Sequence, residues 1–179
     1  MNRKFTLFIL IILAVGQIGF AQSAGSTDNH LSVGVGLEMN MNARENFALG
    51  IPIHIDYNLT VASEPLAFGL VTIISNNLKD NDDKFTVIEI GGLARWYFMG
   101  GGHTGLYGQV ELGAYLFTEF DEVNPMFMGG LRAGYRMPFG NLYVEPFGRA
   151  GYPFAWGIGV LAGISVDIDR GAPAGNTGY

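Results

Sequence analysis

The sequence contains no cysteine, so no disulfide bond stabilises its fold. Only 15% of its residues are charged, whereas an average soluble protein has about 25%. Once Arg3 and Lys4 are set aside, eight basic residues remain against 16 acidic ones, and they form no cluster. This balance argues against nucleic-acid binding, which depends on a basic surface.

Long apolar runs are also absent after residue 21. No later stretch approaches the roughly 18 consecutive apolar residues that identify a membrane-spanning helix. If the chain crosses a membrane, it must therefore do so as a closed β-barrel, because only helices and closed barrels satisfy every backbone polar group in lipid.

The longest apolar run lies at the start of the chain. A short basic segment precedes the 11-residue segment Phe5–Val15, which is apolar except for Thr6, and the small residues Gly19 and Ala21 follow. A basic start, a short apolar segment and small residues spaced for cleavage are typical of a secretory signal peptide. The run is too short for a transmembrane helix. We therefore predict that residues 1–21 are cleaved after export.

The remainder is long enough for one domain. We predict that residues 22–168 form this domain. Residues 169–179 are rich in glycine, alanine and proline, and we predict an unstructured tail there.

Apolar and polar residues alternate along most of the mature sequence, which predicts β-strands. The first two segments alternate without an error and exceed the average strand of about 5–6 residues. A tilted strand needs about 9–11 residues to cross a membrane. The eight predicted strands are Leu31–Met41, Phe47–Leu59, Leu66–Ser75, Phe85–Phe98, Leu106–Phe117, Phe127–Met137, Leu142–Tyr152 and Trp156–Ile168. We predict an all-β fold, an eight-stranded antiparallel up-and-down transmembrane β-barrel.

The connections between these strands differ in length. Pro138–Asn141 predicts a tight turn, whereas residues 75–84 and 118–125 are longer, polar and acidic. The two long segments join the third strand to the fourth and the fifth to the sixth. With the N-terminus on the periplasmic side, both face outward, where such barrels carry their longer loops.

The composition of the polar face indicates that it lines the interior of the barrel. This face is rich in glycine, of which the chain has 27, and carries only isolated charges. Glycine suits places without room for a side chain, and the bore of an eight-stranded barrel is just wide enough for side chains to fill. A soluble barrel would instead expose a strongly charged exterior.

Acidic and basic residues both occur on this face, and buried charge is tolerated when it is paired. The predicted lumen charge network consists of Glu89, Arg95, Glu111, Arg132, Arg136, Glu145 and Arg149. Even spacing places the members within each strand on one face, and their strands are consecutive. We expect a band around one half of the bore. It is either a salt-bridged plug, the interpretation we favour, or a gate or weak ligand site in a narrow pore.

Aromatic residues and prolines add two further expectations. Two clusters of aromatic residues are suited to form the girdles of a membrane barrel, the belts of aromatic side chains at its two membrane–water interfaces. They are Trp96, Tyr97 and Phe98, and Tyr152, Phe154 and Trp156. Pro52 and Pro146 lie inside predicted strands and count against the barrel, because each requires a bulge or an unpaired position.

The three histidines offer little chemistry. His54 and Asp56 share a face, and Ser32 could lie across the strand pair, which would allow a Ser-His-acid triad. We favour a polar lumen residue for His54, because residues two apart on a strand do not hydrogen-bond reliably. His103 is a lone histidine in a glycine-rich turn, which does not make a metal site. We predict no metal site and no cofactor.

The chain resembles the small bacterial outer-membrane β-barrels of the OmpA, OmpX and OmpW type. The resemblance rests on Gly91–Phe98, on Gly129–Tyr135 and on the glycine-alternating last strand. It covers nearly the whole mature chain. Such proteins often end on an aromatic residue that closes the last strand, whereas here residues 169–179 follow it.

The resemblance implies an outer-membrane location more firmly than an activity. We expect a structural barrel or a narrow, porin-like channel for small molecules, and no enzyme. The alternatives are a lipid-modifying barrel enzyme and a soluble lipocalin-like ligand carrier, which the low charge and the missing early Gly-x-Trp disfavour. The expected partners are outer-membrane lipids, the barrel-assembly machinery and small apolar molecules, with no nucleic acid, and the protein is expected to be a monomer.

Overall fold

A computed structural model describes residues 29–41, 47–61, 64–78, 86–99, 102–117 and 125–168. These residues form eight β-strands. They are β1 (His30–Met41), β2 (Phe47–Val61), β3 (Glu64–Asn77), β4 (Thr86–Met99), β5 (Gly105–Phe117), β6 (Met126–Phe139), β7 (Leu142–Tyr152) and β8 (Trp156–Asp167). No helix in these ranges is long and apolar enough to span a membrane.

Each strand pairs antiparallel with the next, and β8 returns to β1, which closes the barrel. The predicted eight-stranded up-and-down barrel is therefore confirmed. The third strand, Glu64–Asn77, is longer than predicted at both ends, and the last strand ends at Asp167 rather than Ile168. The predicted signal peptide, residue 85 and the predicted tail lie outside the described residues.

The two ends of the barrel differ in their connections. At one end, which we call the loop end, β1 is joined to β2, β3 to β4, β5 to β6 and β7 to β8. The opposite end, where β1 begins, is called the turn end. Eight residues separate β3 from β4 and also β5 from β6 at the loop end. Only Gly140 and Asn141 separate β6 from β7 at the turn end, and Gly140 has a positive φ of 66°, which glycine adopts at little cost.

Side chains alternate between the bore and the exterior along every strand, as the pleat requires. In β1, for example, Val35 and Leu37 are each 55% exposed, whereas Glu38 is 1% exposed. The exterior carries most of the large apolar side chains of the described residues, and their charged residues, except Glu64 and Asp167, lie inside. The barrel is thus inside-out relative to a soluble protein.

Pro52 and Pro146, the two prolines predicted to lie inside strands, are accommodated without a change of register. The β1–β2 pairing lapses opposite Pro52, between the pairs Val35–Ile53 and Glu38–Gly50. In the same way, the β6–β7 pairing lapses between Gly134–Phe147 and Met137–Val144, where Pro146 lies. Each proline, which has no N–H to donate, is therefore unpaired towards one neighbouring strand, while it stays in register with Ile73 or Val160 on the other.

Candidate functional site

The seven predicted charged residues all lie in the barrel interior, and each is at most 4% exposed. They form two groups. The first group contains Arg95, Arg136 and Glu145, and the second contains Arg132, Arg149, Glu89 and Glu111. Glu38 joins the second group and Asp56 joins the first, so the described bore holds five buried carboxylates and four guanidinium groups.

In the first group, one carboxylate serves two arginines. Arg95 Nη1 lies 2.8 Å from Glu145 Oε1, and Arg136 Nε donates to the same oxygen. Tyr107 also donates to Glu145, with 3.3 Å between Oη and Oε2. The guanidinium of Arg95 stacks 4.1 Å from the centre of the Tyr107 ring. Loss of any of these contacts would leave a buried charge less well paired, which is energetically costly. The contacts therefore stabilise a single arrangement of these side chains.

Arg136 extends the first group towards β2. Its Nη2 lies 3.6 Å from Asp56 Oδ1, and its Nη1 donates to Ser32 Oγ at 3.2 Å. Its guanidinium also stacks 4.1 Å from the centre of the Tyr143 ring. This arginine therefore connects β6 to β1, β2 and β7 through the bore.

The second group is built around Arg149, which binds Glu89 in a bidentate manner. The distances are 2.7 Å from Nη2 to Oε2 and 3.2 Å from Nη1 to Oε1. Arg149 Nη1 also reaches Glu38 Oε1 at 3.1 Å. Arg132 Nε donates to Glu111 Oε1 at 2.7 Å, and its guanidinium lies 3.9 Å from the centre of the Phe147 ring.

Gln109 joins the two groups into one network. Its Oε1 accepts from Arg95 Nε at 2.7 Å, and its Nε2 donates to Glu111 Oε1 at 2.6 Å. An amide suits this position because it offers an acceptor on one side and donors on the other. The alternation of β5 places Gln109 on the interior face, but it does not indicate this bridging role.

The expectation that the charges form a band around one half of the bore is wrong. Arg149 on β7 reaches Glu38 on β1, and Arg136 on β6 reaches Asp56 on β2. The network therefore crosses the bore. Long arginine side chains make such contacts possible in a narrow barrel, and strand parity alone does not indicate which partner across the bore they reach.

The histidines do not form a catalytic arrangement within the described residues. His54 is fully buried, and neither of its ring nitrogens has a hydrogen-bond partner there. Asp56 accepts from Asn58, and Ser32 is hydrogen-bonded to Asn58 and to Ser165, each at 2.9 Å. The geometry thus offers no hydrogen-bonded Ser-His-acid set there.

A metal site is likewise not evident in the described ranges, where no group of three or more histidines and acids is arranged to bind one. His30 pairs with Asp167. The His103 ring contacts the rings of His30 and Tyr97, with 5.7 Å between centroids in each pair, and its Nε2 lies 3.0 Å from the Leu59 carbonyl oxygen.

Buried side chains lie at both ends of the described bore. At the loop end, Phe154 from the short β7–β8 connection is 3% exposed and belongs to an apolar cluster. The other buried members of that cluster are Ala48, Val71, Ile73, Val87, Leu93, Tyr115 and Met128. At the turn end, His103 from the β4–β5 connection is 7% exposed and lies beside the buried ring of Tyr97.

The girdle prediction is therefore wrong for two of its six members. Tyr97 and Phe154 point into the bore, with exposures of 2% and 3%. The other four face outward and are 38–54% exposed: Trp96, Phe98, Tyr152 and Trp156. Tyr97 follows the alternation of β4, so its direction could have been predicted. Phe154 lies outside any strand, where parity gives no direction.

Comparison with known proteins shows a likeness of fold. Neisserial surface protein A is 14% identical, with a TM-score of 0.54 that covers 80% of this chain and 99% of that one. A de novo designed transmembrane β-barrel is 17% identical (TM-score 0.43; 79% and 98% covered), and the outer membrane enzyme PagL is 12% identical (TM-score 0.41; 78% and 99% covered). No protein-family model and no curated protein matches the chain.

Proposed function

We propose that this chain is an outer-membrane β-barrel with a closed bore, which acts as a structural barrel and presents its loop end at the cell surface. The observation that carries the proposal is the filling of the bore along its length. The Phe154 cluster fills the loop end, the charged network crosses the middle, and His103 with its aromatic neighbours fills the turn end.

The exterior supports a membrane location. Monomeric soluble proteins rarely expose apolar patches larger than a few hundred Å², yet most outward residues of every strand are apolar. Leu112 and Leu131, for example, are 56% and 64% exposed. A soluble lipocalin-like carrier would place such side chains inside. The long connections at the loop end also match the outward loops of outer-membrane barrels.

We propose further that the protein has no catalytic turnover. The buried His54 lacks a hydrogen-bonded serine or acid within the described residues, which a triad requires. Its expected partners remain membrane lipids and the assembly machinery, and we expect a monomer. Loss of a lipid-modifying activity on His54→Ala substitution would contradict the absence of turnover.

The first prediction concerns ion flow. We expect the purified protein to produce no stepwise conductance in a planar lipid bilayer, because side chains fill the bore. A triple variant, Arg149→Ala with Glu89→Ala and Phe154→Ala, removes a charge pair together with the loop-end aromatic. This variant is expected to conduct. Regular conductance steps from the unchanged protein would contradict the closed bore and favour a narrow channel.

The second prediction concerns compartment and form. The mature protein is expected to fractionate with outer membranes, because its exterior is apolar. It is also expected to migrate faster on a gel when unboiled than when boiled, since a closed barrel stays compact in detergent. Recovery of the protein from the periplasm in soluble form, without detergent, would refute the membrane location while leaving the fold intact.

A further inference from the structure

A hollow of about 770 Å³ lies on the exterior of the barrel, across β4 to β8. Its floor is formed by small residues that the strand register brings side by side. Ala133 pairs with Gly148 on one side and with Gly108 on the other. The Phe98 ring covers Gly108, with its Cζ 2.7 Å from the position that a Cβ would take there. Neighbouring strands lie about 4.8 Å apart, so these residues form a furrow across the strands rather than along one of them.

Large apolar side chains border this furrow. Trp96 pairs with Gly108 at one side, and Ile158 pairs with Gly148 at the other. Trp156 stands beside Ala150 in the next row. The chain contains only two tryptophans, and both line the same hollow. The Trp96 indole is fixed by a 3.0 Å hydrogen bond from Nε1 to Glu64 Oε2.

The hollow is continuous with the apolar exterior. The outward residues around it, such as Leu131 and Val110, belong to the same exposed rows that face the bilayer. The hollow is open towards the surrounding medium rather than enclosed. Any occupant from the surrounding bilayer would thus enter sideways, without leaving the hydrocarbon.

The surrounding geometry limits what that occupant is. The barrel is closed, so it has no free strand edge that could pair with an added peptide strand. A two-fold dimer places the same surface of both copies together. Two copies of the hollow would then face each other, and neither would be filled. The side chains that face outward here are apolar or small, which disfavours a polar ligand.

We propose that this hollow binds one acyl chain of a membrane phospholipid, which lies over Ala133 and Gly148 between the two tryptophans. The inference rests on the proposed membrane location. Such a site differs from the general lipid surroundings of the barrel. A defined site becomes saturated with its ligand, whereas the amount of a given lipid around the rest of the barrel is proportional to its fraction in the bilayer.

Tryptophan fluorescence tests this proposal, since both tryptophans report on the hollow. The protein is reconstituted into phosphatidylcholine vesicles that contain an increasing fraction of phospholipid with brominated chains, which quench tryptophan on contact. We expect an early, saturable phase of quenching at a low brominated fraction, followed by a shallow linear phase. The Ala133→Leu variant, which fills the floor, is expected to lose the early phase.

Ala162→Leu is the matched control, because Ala162 is also an exposed, outward alanine but lies outside the hollow. It is expected to retain the early phase. Ala150→Leu fills the hollow from β7 and serves if Ala133→Leu fails to fold, which the unboiled gel shift reveals. Purely linear quenching of the unchanged protein, or an early phase that survives both filling variants, would overturn the site.

Two other results would also decide the question. A concentration-dependent dimer that Ala133→Leu abolishes would show that a second copy occupies the hollow and would overturn the lipid proposal. If brominated lipid does not quench either tryptophan at any fraction, the protein is not inserted, and it is the proposed membrane location that fails.

Discussion

Replacing Glu111 by alanine is expected to lower the free energy of unfolding by about 3–5 kcal/mol, the usual cost of removing one partner from a buried ion pair. Glu111 is fully buried and accepts from Arg132 Nε at 2.7 Å. Its loss leaves Arg132 with Glu38 alone, at 3.7 Å from Nη2 to Oε2, beyond normal hydrogen-bonding distance. The shift is measured as the midpoint of heat-induced unfolding in detergent.

Leu112→Ala provides the matched control, because Leu112 is the next residue on β5 and points the other way, with 56% of its surface exposed. Its truncation is expected to cost less than that of Glu111, since detergent or lipid fills the space. In a soluble protein the order would be the reverse, because an apolar side chain would be the buried one. A larger loss for Leu112→Ala would therefore show that the inside-out assignment is wrong.

This contrast follows from alternation alone, and alternation is also why most of the fold could be predicted. In β1 and β2 the two faces differ along most of the strand, so most facing directions, and the strand bounds to within two residues, follow from the sequence. The third strand was predicted too short because its interior face carries Ala67, Val71 and Ile73. With apolar residues on both faces, the pattern does not indicate where the strand begins or ends.

The pairing within the bore could be predicted only in part. Parity places Arg136 and Glu145 inside, and they do meet. Parity does not indicate that Arg136 also reaches Asp56 on β2, four strands away in the closed barrel, because that contact depends on the diameter of the bore and on how far the side chain extends. Partners along a strand follow from spacing, whereas partners across the bore depend on the closed shape of the barrel.

The glycines of the interior face lead to the last prediction. Gly113 pairs with Gly91 across β5 and β4. A Cβ atom at Gly113 would lie 2.1 Å from the Ile90 carbonyl oxygen and 2.5 Å from the Gly91 Cα. These are backbone atoms, which do not move aside as a flexible side chain does. Gly113→Ala is therefore expected to destabilise the barrel by about 1–3 kcal/mol, and by more if the strands separate.

Gly92 supplies the comparison, because it adjoins Gly91 on β4 but faces outward. The nearest atom to a Cβ there is the Gly69 carbonyl oxygen, at 3.9 Å. Since glycine costs a strand roughly 0.5–1 kcal/mol relative to alanine, Gly92→Ala is expected to leave the unfolding midpoint unchanged or to raise it. Equal losses for the two variants would mean that glycine is not required by the narrow bore. A loss confined to Gly113→Ala would show that interior glycines set how closely the strands approach, and hence how little of the bore stays open.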